Sequence, residues 1–220
     1  MSLDEKITKS KDIIRKALKK FEKDKIAIAW TGGKDSTVVL HLTREVCGGR
    51  IPVRIFFNDS GLEFPEVLEF VKKISRDWKL DLIRVRHAKC DLEKLKRTSD
   101  ARLARETKIR AIEQGIREHK INTYIVGIRH DEHPSRAKEI VFSPRKDHMR
   151  IHPILHFMER DIWDYIKKFK VPYVSLYDKG YRSLGEKPFT KPAGPDKSER
   201  SGREHDKEKI MARLRALGYW

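Results

Sequence analysis

A loop of glycine, lysine and hydroxyl side chains is the clearest chemical signal in this 220-residue sequence. The string Thr31-Gly32-Gly33-Lys34-Asp35-Ser36-Thr37 joins a short apolar run to a helical apolar pattern, so it connects a predicted strand to a predicted helix. Adjacent glycines let the backbone approach an anion closely, and N–H groups at a helix N-terminus point toward it. We therefore expect phosphate binding, with a plain glycine turn as the alternative. The loop is not a Walker A loop, because Asp35 follows Lys34 and Ile28 stands in place of the first glycine.

The elements that would position this loop alternate between strands and helices. Short apolar runs predict strands at residues 25–30, 53–57, 80–85 and 123–126. Helical spacing of apolar residues predicts helices over residues 5–23, directly after the loop, from Pro65, over 92–119 and over 159–169. A further short apolar element is expected at residues 151–154. The alternation predicts an α/β fold, a doubly wound and mostly parallel sheet with helices on both faces.

The composition of the chain changes after residue 176. Residues 177–205 combine several glycines and prolines with many charges, which is typical of an extended arm rather than a packed layer. A short terminal helix is predicted over residues 207–217. We therefore expect a main domain over residues 1–176 and an arm over residues 177–220 that folds across the site.

A second candidate segment begins where the fourth predicted strand ends. Gly127 follows that strand, and Arg129 comes two residues later. The carboxyl ends of parallel strands meet at one edge of a sheet, where open sheets of this kind bind ligands. We therefore expect Gly127 and Arg129 to lie at the same edge as the first loop.

Motifs of one family occur in order along almost the whole chain. Residues 31–36 resemble the SGGKDS pyrophosphate loop, or PP-loop, of the adenine nucleotide alpha hydrolase superfamily, with threonine in place of the leading serine. Residues 59–66 resemble the D-T-G-x-x-F-P-E segment of its phosphoadenosine phosphosulfate (PAPS) reductase and ATP sulfurylase small-subunit branch. Residues 127–137 are similar to the G-x-R-x-D-E and S-R-A signature of that branch. Its later landmarks are resembled by residues 152–163 and 176–185.

The resemblance implies an ATP-dependent enzyme that acts at the α-phosphate of the nucleotide. The implied catalytic residues are Lys34, which would neutralise charge on the departing pyrophosphate, and Arg129, whose planar guanidinium suits phosphate or sulfate oxygens. The implied nucleotide-binding residues are Thr31, Gly32, Gly33, Asp35, Ser36, Thr37, Asp59, Gly61, Gly127, Arg136, Arg182, Arg200 and Arg203. Asp35 or Asp59 would reach a Mg²⁺ ion held mainly by the phosphates, although either carboxylate equally fits a helix cap or a turn.

The arm favours one activity within the family. Residues 198–203, followed by an aromatic carboxyl end, are similar to the S-E-R-x-G-R arm of the sulfate adenylyltransferase small subunit. That similarity implies adenylyl transfer from ATP to sulfate, release of pyrophosphate and a GTPase partner subunit. Family reductases instead attack sulfur with a cysteine in the carboxyl-terminal segment, and this arm has none. Cys47 and Cys90 are expected to pack as small apolar side chains.

Four other functions stay open. Residues 176–185 also resemble the L-Y-D-x-G-Y-x-S-L-G stretch of eukaryotic FAD synthase, in which FMN phosphate is the acceptor, although the tail resembles it less. A reductase-family protein without the catalytic cysteine is a second alternative. The third, an ATP pyrophosphatase that activates tRNA or DNA for sulfur insertion, is suggested by residues 84–120 with 12 basic and 6 acidic side chains. These charges lack interleaved aromatic residues, which disfavours nucleic-acid binding. A nucleotide-binding protein without catalysis is the fourth.

Composition excludes several classes of protein. With 50 Lys and Arg against 33 Asp and Glu, the formal net charge is +17, and 38% hydrophobic residues suffice for a folded core. The excess positive charge either solvates the surface or attracts an anionic partner, such as a nucleotide, sulfate or nucleic acid. A charged fraction of 38% with few amide side chains suggests adaptation to heat. No apolar run approaches a membrane span and no signal peptide is visible, so we expect a cytoplasmic protein without membrane contact. Two distant cysteines exclude a disulfide framework or a cysteine-bound metal within the chain. A homo-oligomer stays open.

Overall fold

Strands and helices alternate through the computed structural model, which describes residues 1–87, 91–94, 101–145, 147–194 and 196–203. The longer helices are α1 (Leu3–Lys20), α2 (Lys34–Val46), α3 (Pro65–Asp77), α4 (Ala101–Glu118) and α5 (Glu159–Phe169). The strands are β1 (Ile26–Ala29), β2 (Arg54–Asp59), β3 (Leu82–Arg86), β4 (Thr123–Val126), β5 (Phe142–Pro144) and β6 (Met149–Ile151).

The strands form one sheet with the order β3-β2-β1-β4-β6-β5. All neighbouring pairs are parallel except β5 and β6, which are antiparallel. The chain moves from β1 outward to β3 on one side and continues from β4 on the other, so β1 and β4 flank the point where the strand order reverses. Ligands bind at such a point in open α/β sheets.

The two faces of the sheet are covered by different helices. One face presents large aliphatic side chains of β1, β2, β4 and β6, which join the main core with residues of α1, α2, α3 and α5. The other face presents Ala27, Phe56 and Tyr124, which pack with Ala111 of α4. Alternate residues of each strand point to opposite faces, so apolar residues on both faces require helices on both sides. The predicted doubly wound α/β fold is confirmed.

Strands β1, β2 and β3 lie within two residues of their predicted bounds, and larger differences occur at three other places. Helix α1 starts at Leu3, where Ser2 and Glu5 form a capping box, and ends before residue 23. The short antiparallel strand β5 was not predicted, because it is only three residues long and contains Pro144. The element expected at residues 151–154 lies earlier, as β6, and Pro153 cannot donate a ladder hydrogen bond.

The described residues of the arm, 177–194 and 196–203, add no strand to the sheet. They form turns and short 3-10 helices, and Thr190 forms an isolated bridge with Arg203. The predicted terminal helix at residues 207–217, Cys90 and residues 95–100 of the predicted long helix lie outside the described residues. The division of the chain at residue 176 stays a prediction. Within the described ranges, no helix has the length and apolar character needed to cross a membrane.

Candidate nucleotide-binding site

The loop at residues 31–37 and the segment after β4 lie against each other. Gly127 is so close to the first turn of α2 that a Cβ atom on it would stand 3.0 Å from the Asp35 carbonyl carbon and oxygen and from Ser36 Cα. The two segments singled out in the sequence therefore meet at the reversal point of the sheet. Only glycine permits this approach without a shift of the backbone.

The loop is held in shape by its own side chains. Gly32 has a φ of 75°, and a Cβ atom there would lie 3.0 Å from Val67 of α3. The hydroxyls of Ser36 and Thr37 donate to the Gly33 carbonyl at 3.0 and 2.9 Å. The indole of Trp30 donates to the Thr37 hydroxyl at 3.0 Å. These bonds fix the start of α2 and orient its first turn.

Several loop amides already have protein partners. The Thr31 amide donates to the Ser36 hydroxyl at 3.2 Å, and the Gly33 amide to the Thr31 hydroxyl at 3.3 Å. The Lys34 amide donates to the hydroxyl of Tyr177, at the start of the arm, at 2.8 Å. A phosphate that uses the Lys34 amide must therefore displace Tyr177.

Two buried cations converge beside the loop on one carboxylate of the arm. The side chains of Lys34 and Arg129 are 1% and 0% exposed, and each contacts one oxygen of Glu199. Both also approach Asp35, at 3.3 Å from Lys34 Nζ and 2.7 Å from Arg129 Nε. Burial alone would lower the pKa of Lys34 and of Arg129, but the carboxylates of Asp35 and Glu199 hold both pKa values above their ordinary range. Both side chains therefore stay charged.

Three carboxylates share this cluster. Oxygens of Asp35, Glu132 and Glu199 lie within 4.8 Å of one another. Burial tends to raise the pKa of Asp35, but Lys34 and Arg129 outweigh it and lower that pKa. Burial, reinforced by the charge of Asp35, raises the pKa of Glu199 to about 7. The surroundings of Glu199 therefore disfavour the ionised form of its carboxyl group.

A cavity of about 250 Å³ opens beside these charges. The predicted site residues on its wall are Thr31, Gly33, Asp35, Ser36, Gly127, Arg136, Arg200 and Arg203. Apolar and aromatic side chains form much of the remaining wall, including Phe56, Phe57, Val67, Ile112 and Val126. Such a cavity suits a ligand with an anionic end and a planar, mostly apolar end.

Seven predicted site residues do not line this wall. Gly32, Lys34, Thr37 and Arg129 belong to the loop and the cation cluster described above, whereas Asp59, Gly61 and Arg182 make other contacts. Asp59 is paired with Arg84 and Arg86, at 2.6 and 3.6 Å, and accepts the amide of Gly61 at 3.1 Å. The carboxylate thus makes the turn bond that was the alternative for it. The guanidinium of Arg182 pairs with Glu159 of α5 at 2.5 Å, whereas its backbone carbonyl accepts a hydrogen bond from Lys34 Nζ at 2.8 Å.

Comparison with known proteins identifies the family. Residues 25–192 match the phosphoadenosine phosphosulfate reductase domain. The chain belongs to this family. It is 27% identical over 191 residues to the phosphoadenosine 5'-phosphosulfate reductase of Xylella fastidiosa, with 82% of this chain and 78% of that protein covered. It is 31% identical over 184 residues to sulfate adenylyltransferase subunit 2 of Agrobacterium fabrum, with 71% of this chain and 58% of that protein covered. The prediction of an enzyme of the PAPS reductase family is confirmed.

Solved structures of the family's fold resemble the chain. The PAPS reductase of Candida auris, a phosphate complex, has a TM-score of 0.68 at 19% identity and covers 84% of this chain and 94% of that one. The FMN adenylyltransferase of Candida glabrata, in complex with FMN and the ATP analogue AMPCPP, has a TM-score of 0.72 at 23% identity. That match covers 86% of this chain and 64% of the other. At these identities the likeness concerns the fold.

Residue-type reasoning missed three side chains that contact this candidate site. They are Glu199, Tyr177 and Glu132. Glu199 contacts Lys34 and Arg129, Tyr177 accepts the amide of Lys34, and Glu132 pairs with Arg136. All three fall inside the motifs recognised in the sequence. They were passed over because an acidic or phenolic side chain is not an expected phosphate ligand. Their presence inside those motifs was the available signal.

Proposed function

We propose that the protein transfers the adenylyl group of ATP to an oxyanion, with sulfate as the favoured acceptor, and releases pyrophosphate. One observation carries this proposal. The buried side chains of Lys34 and Arg129 both contact the carboxylate of Glu199, which lies beside the start of α2. Cations that bind carboxylate oxygens are equally suited to phosphate oxygens, because both groups are oxyanions whose oxygens accept charge-assisted hydrogen bonds. The helix N-terminus adds its dipole at the same point.

In the proposed reaction an acceptor oxygen attacks the α-phosphorus of ATP. The bond from that phosphorus to the bridging oxygen breaks, and pyrophosphate leaves with the bonding electrons. Lys34 and Arg129 would stabilise the charge that develops on the leaving group. Arg136, Arg200 and Arg203 line the cavity wall, where they would bind the acceptor or the other phosphate oxygens. Positioning and fixed charges would supply most of the rate, since no covalent intermediate with the protein is needed.

Asp35 and Glu132 are the residues that would hold Mg²⁺ with the nucleotide. Their carboxylate oxygens belong to the cluster within 4.8 Å, and such oxygens are the ligands that Mg²⁺ prefers. Each carboxylate is already paired with a basic side chain, so the phosphates would supply the remaining ligands. When bound, Mg²⁺ neutralises phosphate charge.

Relatives named as reductases make thiol chemistry the second candidate function. Cys47 follows the last residue of α2, a helix of 13 residues, and so lies roughly 20 Å from the loop along the helix axis. Burial also raises the pKa of its thiol, which disfavours the thiolate. Cys90 lies outside the described residues. The sulfate adenylyltransferase subunit among the relatives and the S-E-R-x-G-R similarity favour adenylyl transfer.

Pyrophosphate release from ATP and Mg²⁺ tests the proposal across acceptors. Release that depends on sulfate, alone or with a GTPase subunit, supports the favoured acceptor, and release that depends on FMN supports an FAD synthase. In parallel, adenylyl sulfate and its 3'-phosphorylated form are incubated with a thiol donor. Sulfite formation by the wild type that is lost in Cys90→Ser would replace our proposal with a reductase. ATP binding without acceptor-dependent release would leave a binding protein.

A further inference from the structure

Two side chains of the arm contact the cation cluster formed by Lys34 and Arg129. Glu199 reaches Lys34 and Arg129 with its two carboxylate oxygens, and Tyr177 caps the Lys34 amide with its hydroxyl. Both residues belong to the segment after residue 176, yet both contact the first residue of α2. The side-chain and backbone donors of Lys34 are therefore engaged by the arm.

We propose that Glu199 and Tyr177 form an autoinhibitory latch, which competes with a polyphosphate for Lys34 and Arg129 and is displaced when a nucleotide binds. This inference rests on the proposed function, because it assigns the same cations to ATP. A carboxylate and a phosphate oxygen are chemically alike for a guanidinium or an ammonium group. Only one of them can hold the inner oxygen position on each cation.

The surroundings of Glu199 make it the exchangeable member of the cluster. Its carboxylate lies near those of Asp35 and Glu132, and it is the only one of these three carried by the arm. The described backbone bonds around Glu199 stay within the arm: Lys191 donates to the Gly202 carbonyl at 2.8 Å, and Lys197, Ser201 and Arg203 each donate to the residue three positions earlier at 3.2, 3.0 and 2.9 Å. A segment with few long-range backbone bonds opens more readily than a strand or helix of the core.

The latch also discriminates between ligands by their length. A single sulfate replaces the Glu199 carboxylate with a similar number of charge-assisted bonds, so it gains little. A triphosphate reaches the same two cations and extends to Arg136 and Arg200 on the cavity wall. The latch thus favours binding of ATP before sulfate.

Calorimetric titration with inorganic tripolyphosphate and with ATP tests the latch in the full-length chain. Glu199→Gln removes the competing charge but keeps the shape, so it should bind both ligands roughly tenfold more tightly than wild type. Asp196→Asn is the matched control, since it makes the same charge change at an exposed position of the same arm. Its affinity should stay within about twofold of wild type. Tyr177→Phe frees the Lys34 amide and should tighten binding by roughly threefold.

Unchanged or weaker affinity of Glu199→Gln for tripolyphosphate would overturn the latch. Should that variant not fold, unchanged affinity of Tyr177→Phe would do so instead. The proposed function fails separately: tighter binding by Glu199→Gln without acceptor-dependent pyrophosphate release keeps the latch and rejects adenylyl transfer. Sulfate-dependent pyrophosphate release with unchanged affinity in both variants keeps adenylyl transfer and rejects the latch.

Discussion

Replacing Gly127 by alanine tests whether the end of β4 and the first turn of α2 must touch. The added Cβ would stand 3.0 Å from three backbone atoms of Asp35 and Ser36, where ordinary contacts begin at 3.4 Å. The backbone of Gly127 does not have a positive φ, so alanine introduces no conformational strain of its own. The whole effect must therefore come from packing.

The expected magnitude follows from that overlap. Backbone cannot rotate away as a flexible side chain does, so α2 and its loop must move by several tenths of an ångström. Overpacking of this kind costs about 1–3 kcal/mol in the free energy of unfolding. For a chain of this size each kcal/mol lowers Tm by about 2–4 °C. Because a displacement near 1 Å can reduce turnover by about 10²-fold, we expect a loss of roughly tenfold in pyrophosphate release.

Thermal unfolding and the rate of pyrophosphate release measure the two effects. Gly194→Ala is the matched control, since nothing lies within 4 Å of a Cβ atom at that position. We expect the control to keep the Tm and the release rate of wild type. A Gly127→Ala variant indistinguishable from that control in both measurements would refute the packing argument.

Three further predictions test the site and the fold. Lys34→Ala should lower the rate of pyrophosphate release by roughly 10²-fold or more, and a loss below about threefold would contradict its catalytic role. Burial lowers the pKa of His152 to about 4 in the folded protein. Between about pH 6.5 and 4 the unfolded chain therefore binds a proton at this histidine and the folded chain does not, so the free energy of unfolding should fall as the pH drops through this range. Urea unfolding at several pH values should show a shallower fall in His152→Gln than in a variant of the exposed His130; equal slopes in the two variants would reject this. Gly115→Ala should destabilise by about 1–3 kcal/mol, because its Cβ would lie 2.7 Å from the Phe56 ring. A raised Tm, as helix propensity alone predicts, would argue against that contact.

Local signals in the sequence determined most of the fold. Strand β4 and helix α5 have the predicted bounds, and α3 begins at Pro65 as expected. A run of β-branched and aromatic residues, or a proline with the fixed φ of a first helical residue, acts over a few neighbouring positions. Strand β5 was missed because its pairing with β6 is set by the partner strand and not by an apolar pattern of its own.

The sequence likewise determined the loop at residues 31–37, its glycines and the order of the family motifs, since these depend on residue types within a few positions of one another. Only the tertiary structure decided which charges meet there. Glu199 and Lys34 are 165 residues apart, and Asp59 was drawn to the arginines of β3 instead of the cavity. The path of the arm follows no periodic pattern, because its turns are fixed by contacts with the folded domain. The contacts of Glu199 and Tyr177 with Lys34 therefore could not be predicted from the sequence.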